Sequence, residues 1–96
     1  MAITITAIFK CDPEFLVQLK NLFEPLVEAT RKEEACIHYD LHQSKEDENI
    51  FIMMEEWADD QGFEQRLKTN HFIAFAEHVQ PLLTAPLQII KSVKIM

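Results

Sequence analysis

His71 stands in the stretch "LKTNHFIAF" (67–75), where a polar loop gives way to an apolar helical run. With Asn70 as the N-cap, the imidazole falls in the first turn of a helix, where it can accept a proton or donate a hydrogen bond to a carbonyl. A half-exposed histidine with only a structural part at a helix start fits the same residues. Glu55 and Trp57 lie two apart in "IFIMMEEW" (50–57), in line with Phe51 and Met53. A carboxylate on an otherwise apolar strand face is costly to bury unless it is paired or protonated, so Glu55 is either a satisfied acceptor or a pocket acid. Trp57, the single tryptophan, fits the core and also fits a stacking wall that carries an N–H donor. Tyr39 shares a strand face with Ile37 and Leu41, and its hydroxyl needs a partner if the ring is buried. Phe72 and Phe75 belong to the helical stripe after His71. Met53 is the soft side chain that lines adaptable cavities.

Other constellations carry less. His38, Asp40 and His42 alternate along a strand, where successive same-face residues stand roughly 6–7 Å apart. That is too far for the two histidines to share one ion easily, so no metal site is expected. The chain has one glycine, Gly62, which leaves no Gly-rich phosphate loop or nucleophile elbow. The formal net charge is −7 with no basic cluster, which argues against nucleic acid and against an anionic membrane surface. No apolar run approaches the ~20 residues that cross a bilayer. "MAITITAIFK" alternates instead of presenting a basic segment and a long apolar core, so it reads as a strand and not as a signal peptide. A cytoplasmic location is the expectation, with Cys11 and Cys36 as free thiols.

The elements that must position these side chains follow from periodicity. Residues 2–9 alternate Ile3, Ile5 and Ala7 against Thr4, Thr6 and Ile8, a β-branched strand. Asp12 caps and Pro13 opens a helix whose stripe runs through Phe15, Leu16, Leu19, Leu22, Phe23, Leu26 and Val27. Pro25 interrupts it, and its end is expected near Lys32. "ACIHYDLHQ" (35–43) is a second strand, with Cys36, His38, Asp40 and His42 opposite Ile37, Tyr39 and Leu41. Residues 50–57 pair with it antiparallel through the turn "SKEDEN". Asp59 caps a helix to about Leu67, a second helix opens near His71, and 87–95 forms the last strand. The order β-α-β-β-α-β over a single domain, 1–96, predicts the α+β, ferredoxin-like arrangement.

Helices cover one face of such a sheet, yet the strands are apolar on both. Ile50, Ile52 and Met54 oppose Phe51 and Met53, and Ile90 opposes Leu87 and Ile89. A bare face of several hundred Å² would favour association at roughly 25 cal/mol per Å². A homodimer packed sheet against sheet is therefore expected.

Three stretches in order resemble the antibiotic biosynthesis monooxygenase family, small dimeric α+β barrel proteins that include quinol monooxygenases. "EEACIHYDLHQ" (33–43) is similar to the family's E-P-G-C-x-x-Y-x-L-H through Glu33, Cys36, Tyr39, Leu41 and His42. Phe51, Glu55 and Trp57 match F-x-x-x-E-x-W, and Leu67, His71 and Phe72 match L-x-S-x-H-F. Glu34 and Ala35 replace the usual Pro-Gly. The histidine and second tryptophan of the haem-degrading branch fall on Ala76 and Arg66, which disfavours haem breakdown. The resemblance implies a cavity between sheet and helices and oxidation of a small aromatic or quinone-like substrate by dioxygen with no cofactor. It casts His71 as base or carbonyl-orienting donor, Tyr39 as oxyanion donor and Glu55 as the group fixing polarity. Trp57 and Phe75 become slot walls, with Phe72 and Met53 as further substrate contacts. It leaves open an isomerase of a small phosphorylated metabolite and a non-catalytic ligand-binding protein. An inward-pointing Arg31, Arg66 or Lys68 would favour the isomerase.

Overall fold

The computed structural model describes residues 1–96. The chain runs β1 (Ile3–Lys10), α1 (Leu16–Thr30), β2 (Cys36–Gln43), β3 (Ile50–Trp57), α2 (Asp60–Arg66), α3 (Asn70–Val79) and β4 (Gln88–Ser92). The strands form one sheet in the order β2-β3-β1-β4, with every neighbouring pair antiparallel. This is the expected ferredoxin-like α+β arrangement, with the second helical region split in two. No helix is long and apolar enough to cross a membrane.

Alternation does most of the work of building the core. Ile3, Ile5, Ala7 and Phe9 of β1 and Phe51, Met53, Glu55 and Trp57 of β3 all turn to the helical side and are buried. Leu19, Phe23 and Leu26 of α1 and Phe75 and Val79 of α3 close over them. Phe23 meets Phe9 edge-on, with ring centroids 5.0 Å apart, and lies 5.4 Å from Phe75. Edge-to-face contact suits the ring quadrupoles, so these aromatics order the centre of the core as well as filling it.

Local chemistry sets the helix starts. Asp12 accepts from the Glu14 N–H ahead of a short 3-10 turn containing Pro13. Asp59 accepts from the Gly62 N–H at the start of α2, 2.7 Å away. At α3 the cap is Thr69, not Asn70, because the Thr69 hydroxyl accepts from the Phe72 N–H. Helix α1 continues past Pro25 but ends at Thr30, short of Lys32. In β2 the register shifts between Cys36 and His38, so Cys36 pairs with Trp57 and not with its expected outer face. Ile37, expected beside Tyr39, is instead 48% exposed. β4 is also shorter than the alternation of 87–95 suggested.

The other face of the sheet carries no helix. Its centre is Ile8, Ile52, Met54 and Ile90, flanked by Thr4, Thr6, His38, Asp40, His42 and Glu56 in register. Met54 is 46% and Ile90 45% exposed.

Gly62 marks where α2 presses against the start of β2. A Cβ there would collide with the Ala35 Cβ, and the Ala58 N–H donates to the Ala35 carbonyl at 2.9 Å beside it. Gly62→Ala gains about 1 kcal/mol of helix propensity but overpacks a contact of the kind that costs about 1–3 kcal/mol. Urea denaturation should show a net loss, partly recovered when Ala35→Gly is added. A gain in stability from Gly62→Ala alone would mean that α2 is free to shift.

Candidate functional site

Tyr39 and Glu55 are directly opposite each other on β2 and β3 and both turn toward the helices. Above them α2 delivers Arg66, only 2% exposed. Arg66 Nη2 donates to the Tyr39 hydroxyl in a short hydrogen bond. The guanidinium carbon also lies 4.6 Å from the Phe72 ring centroid, 5.0 Å from Tyr39 and 5.3 Å from Trp57. Three ring faces thus surround one cation, each contributing on the order of 0.5–2 kcal/mol. They offset part of the several kcal/mol that dehydrating a guanidinium costs. The compensation is incomplete, since Arg66 Nη1 is sealed from solvent with no hydrogen-bond partner.

Glu55 is held from below. The Trp57 indole N–H donates to its Oε1 at 2.9 Å, both groups being buried. Burial pushes the Glu55 pKa above its ordinary value, opposed by the Trp57 hydrogen bond and the Arg66 charge and assisted by Glu33. Tyr39 is also pushed up, chiefly by burial, so it remains a phenol that can donate. Burial, with Glu33 second, pushes Cys36 to about 11. That keeps Cys36 a thiol, unsuited to nucleophilic work at neutral pH.

Tyr39, Glu55 and Arg66 line an inner void of about 60 Å³ whose other walls are apolar. Its floor is buried, while its mouth lies between α2 and β4. There Leu67 and Ile89 are exposed and Phe63 and Leu87 half-buried. Lys91 of β4 pairs with Asp60 of α2 across this edge and lies 6.0 Å from the Phe63 ring centroid.

Of the side chains singled out from the sequence, Tyr39, Glu55, Phe72 and Phe75 line the void. Trp57 and Met53 are fully buried behind it and do not reach it. His71 lies elsewhere. It lines a separate cleft between α1 and α3 with Leu22, Pro25, Ala74 and His78, and Leu26 and Phe75 are the wall between that cleft and the void. His71 Nε2 is 2.7 Å from Glu33 Oε2, a pair that ties the start of α3 to the loop before β2. The expected imidazole and indole rimming one hollow are therefore not found together. On the open face His38 sits 3.7 Å from Glu56, and no three His, Cys, Asp or Glu side chains converge in a metal-holding group.

Arg66 entered the sequence reading as one of three cations that could point inward and as the position of the haem branch's second tryptophan, but not among the site residues. The available signal was its place at i+3 from Phe63 and beside Leu67, within the apolar stripe of a short helix. Arg31 is exposed and engages Asp40 and the Tyr39 carbonyl, and Lys68 is exposed.

A two-layer α+β domain with one polar cluster sealed between sheet and helices defines the class. The sequence profile of the family described as antibiotic biosynthesis monooxygenase matches residues 2–78, and the chain belongs to that family. It is 32% identical over 90 residues to the Bacillus subtilis protein named "Putative monooxygenase YcnE", covering 94% of this chain and 95% of the relative. A crystal structure of a conserved protein from Methanosarcina mazei Go1 superposes with a TM-score of 0.96 at 32% identity, covering 99% of this chain and 94% of the other. PA3566 from Pseudomonas aeruginosa gives a TM-score of 0.92 at 30% identity, with coverage of 99% and 95%.

The raised Glu55 pKa has a consequence for stability. The folded carboxyl holds its proton more tightly than the unfolded one, whose ordinary value is 4.5. The stabilisation from this proton is complete below that value and is lost as pH rises through the folded pKa. Glu55→Gln keeps an acceptor for Trp57 and removes the titration. Urea melts from about pH 4 to 8 should show wild type losing stability relative to Glu55→Gln as pH rises, then running parallel. Parallel curves throughout would place Glu55 in an ordinary solvated setting.

Proposed function

We propose that the protein is a cofactor-independent monooxygenase that oxidises a small electron-rich aromatic, a quinol or phenol, with dioxygen. The observation that carries this reading is the Glu55 carboxyl, buried, fixed by Trp57 and facing a largely apolar void. Removing a proton from a hydroquinone leaves an anion that can pass an electron directly to dioxygen. Such a site must supply a base, a dry aromatic enclosure and a donor for the anionic oxygen. Glu55 serves as base, its proton affinity raised toward that of its substrate. Tyr39 and Arg66 serve the oxygen. One atom of dioxygen enters the ring and the other leaves as water, the four electrons coming from the quinol as it becomes a hydroxyquinone. The reacting edge of the ring occupies the inner void, and its body lies in the mouth beside Phe63 and Leu87, which must widen to admit it. His71, fixed by Glu33 beyond the Phe75 wall, holds the start of α3 and does not exchange protons with substrate.

An isomerase of a phosphorylated metabolite is the second reading, because Arg66 does point inward. It is the one cation lining the void, and the neighbouring Glu55 opposes a dianion. Monooxygenation is the better fit.

The partner that completes the fold is a second copy, packed through the open sheet face centred on Ile8, Ile52, Met54 and Ile90. Light scattering should give twice the 11.2 kDa of one chain. Met54→Glu, by setting a charge in the apolar centre, should shift the mass to the monomer. A monomeric wild type would reject this packing.

Oxygen uptake with menadiol and simple anthrones tests the chemistry. Wild type should exceed buffer autoxidation, and Glu55→Gln should lower kcat about 100-fold, as loss of a general base does. His71→Ala should stay within a few-fold. The reverse ranking would move proton transfer to the imidazole, and no rate above autoxidation would leave a binding protein.

A further inference from the structure

Arg66 presents an unusual charge distribution. The residue is only 2% exposed, and among residues lining the void it is the only cation. Nη2 is committed to the Tyr39 hydroxyl, a neutral acceptor. Nη1 is sealed without any acceptor. No carboxylate forms an ion pair with it, since Glu55 takes its hydrogen bond from Trp57 and Glu33 is engaged by His71. A buried guanidinium donor without an acceptor is costly, and a structure that keeps one beside a void has left room for an acceptor from outside.

We propose that Arg66 Nη1 receives one oxygen of the ligand as a singly charged, planar oxyanion, a phenolate or aromatic enolate, and so selects such ligands over neutral rings and over phosphate esters. This rests on the aromatic-substrate reading above and deepens it. Charge balance favours the single charge. The empty site holds one cation, Arg66, and one carboxylate, Glu55. If an incoming phenol gives its proton to Glu55, the filled site holds a cation, a phenolate and a neutral carboxyl, and its net charge is unchanged. A phosphate monoester dianion leaves a net negative charge in the same dry space, where few neighbours can screen it. A neutral ring offers Nη1 at best an uncharged acceptor, whose hydrogen bond is roughly half as strong as a charge-assisted one. The three rings packed on the guanidinium limit its reorientation, so widening of the void beside Nη1, and not a turn of the side chain, brings the ligand oxygen within reach. Arg66 is on this account a specificity residue touching the ligand, held through its other terminal nitrogen by Tyr39, which also lines the void.

Equilibrium binding, without turnover, tests this apart from catalysis. The probes are 4-nitrophenol, followed by its visible absorbance, with nitrobenzene and 4-nitrophenyl phosphate as neutral and dianionic counterparts. Wild type should bind 4-nitrophenol at least tenfold tighter than either counterpart and take up about one proton when the probe is added as phenolate. Glu55→Gln should keep the preference and lose the proton uptake. Arg66→Met, checked for folding by its thermal melt, should bind 4-nitrophenol and nitrobenzene alike. Arg66→Lys, which keeps the charge and loses the planar fork, should bind 4-nitrophenol more weakly while still preferring it. Equal wild-type affinity for nitrophenol and nitrobenzene overturns the proposal, as does tighter binding of the phosphate ester, whether or not any substrate is oxidised. Preferential phenolate binding with no oxygen consumption sustains it and removes only the monooxygenase reading.

Discussion

A guanidinium with almost no solvent contact dictates how the helical layer meets the sheet. Water solvates such a charge far better than hydrocarbon, so the protein must replace the lost hydration group by group. Tyr39 supplies a hydroxyl and a ring face, and Trp57 and Phe72 supply further ring faces. Those residues come from β2, β3 and α3, while Arg66 comes from α2. Four elements are thereby held to one point by a charge that none of them could bury alone. The register of β2 on β3 matters for the same reason. A slip of one residue would turn Tyr39 outward and strand the cation.

The same cation governs the neighbouring acid. Burial alone raises the proton affinity of Glu55, and the Trp57 N–H and Arg66 restrain that rise. A carboxyl too strongly buried would stay protonated and be useless as a base, while one fully paired would be too weak. Holding Arg66 near but hydrogen-bonding it to Tyr39 lets its charge oppose the rise without forming an ion pair with Glu55. An acid and a cation thus share one void, each hydrogen-bonded to a different neighbour and not to the other.

Much of this was legible in the sequence. The alternation of β1 and β3 places Glu55 and Trp57 on the buried face without ambiguity, because one face of each strand is sealed by helices. Family membership was visible too, in three short stretches in order. The position of His71 was less visible. Its partner Glu33 is 38 residues away, and which side of the Phe75 wall the imidazole occupies depends on how α1 packs against α3. Thr69 and Asn70 are both good caps, and adjacent candidates cannot be ranked from local sequence. The β2 bulge reversed Cys36 and Ile37 because one extra residue inverts the alternation before it. Arg66 was misjudged for the opposite reason. A charged residue on a seven-residue helix is ordinarily solvated, and only the ring cage makes burial tolerable.

Access to the void follows from which parts of the fold are weakly anchored. β1 and β3 lie inside the sheet, paired on both sides, and α1 and α3 are pinned by interlocking phenyl rings. β4 is a short edge strand, paired only with β1, and all five of its residues are exposed. Its tie to α2 at the mouth is the Lys91–Asp60 pair, whose side chains are roughly half exposed. Solvent-exposed pairs of this kind contribute about 0–1 kcal/mol, so this ion pair itself adds little to holding α2 against β4. Separation there exposes Phe63, Leu67, Leu87 and Ile89, which form an apolar lining for an aromatic ring, and leaves the Arg66–Tyr39 contact on the far side undisturbed. The fold thus places its costliest charge at the rigid end of the cavity and its cheapest contact at the other.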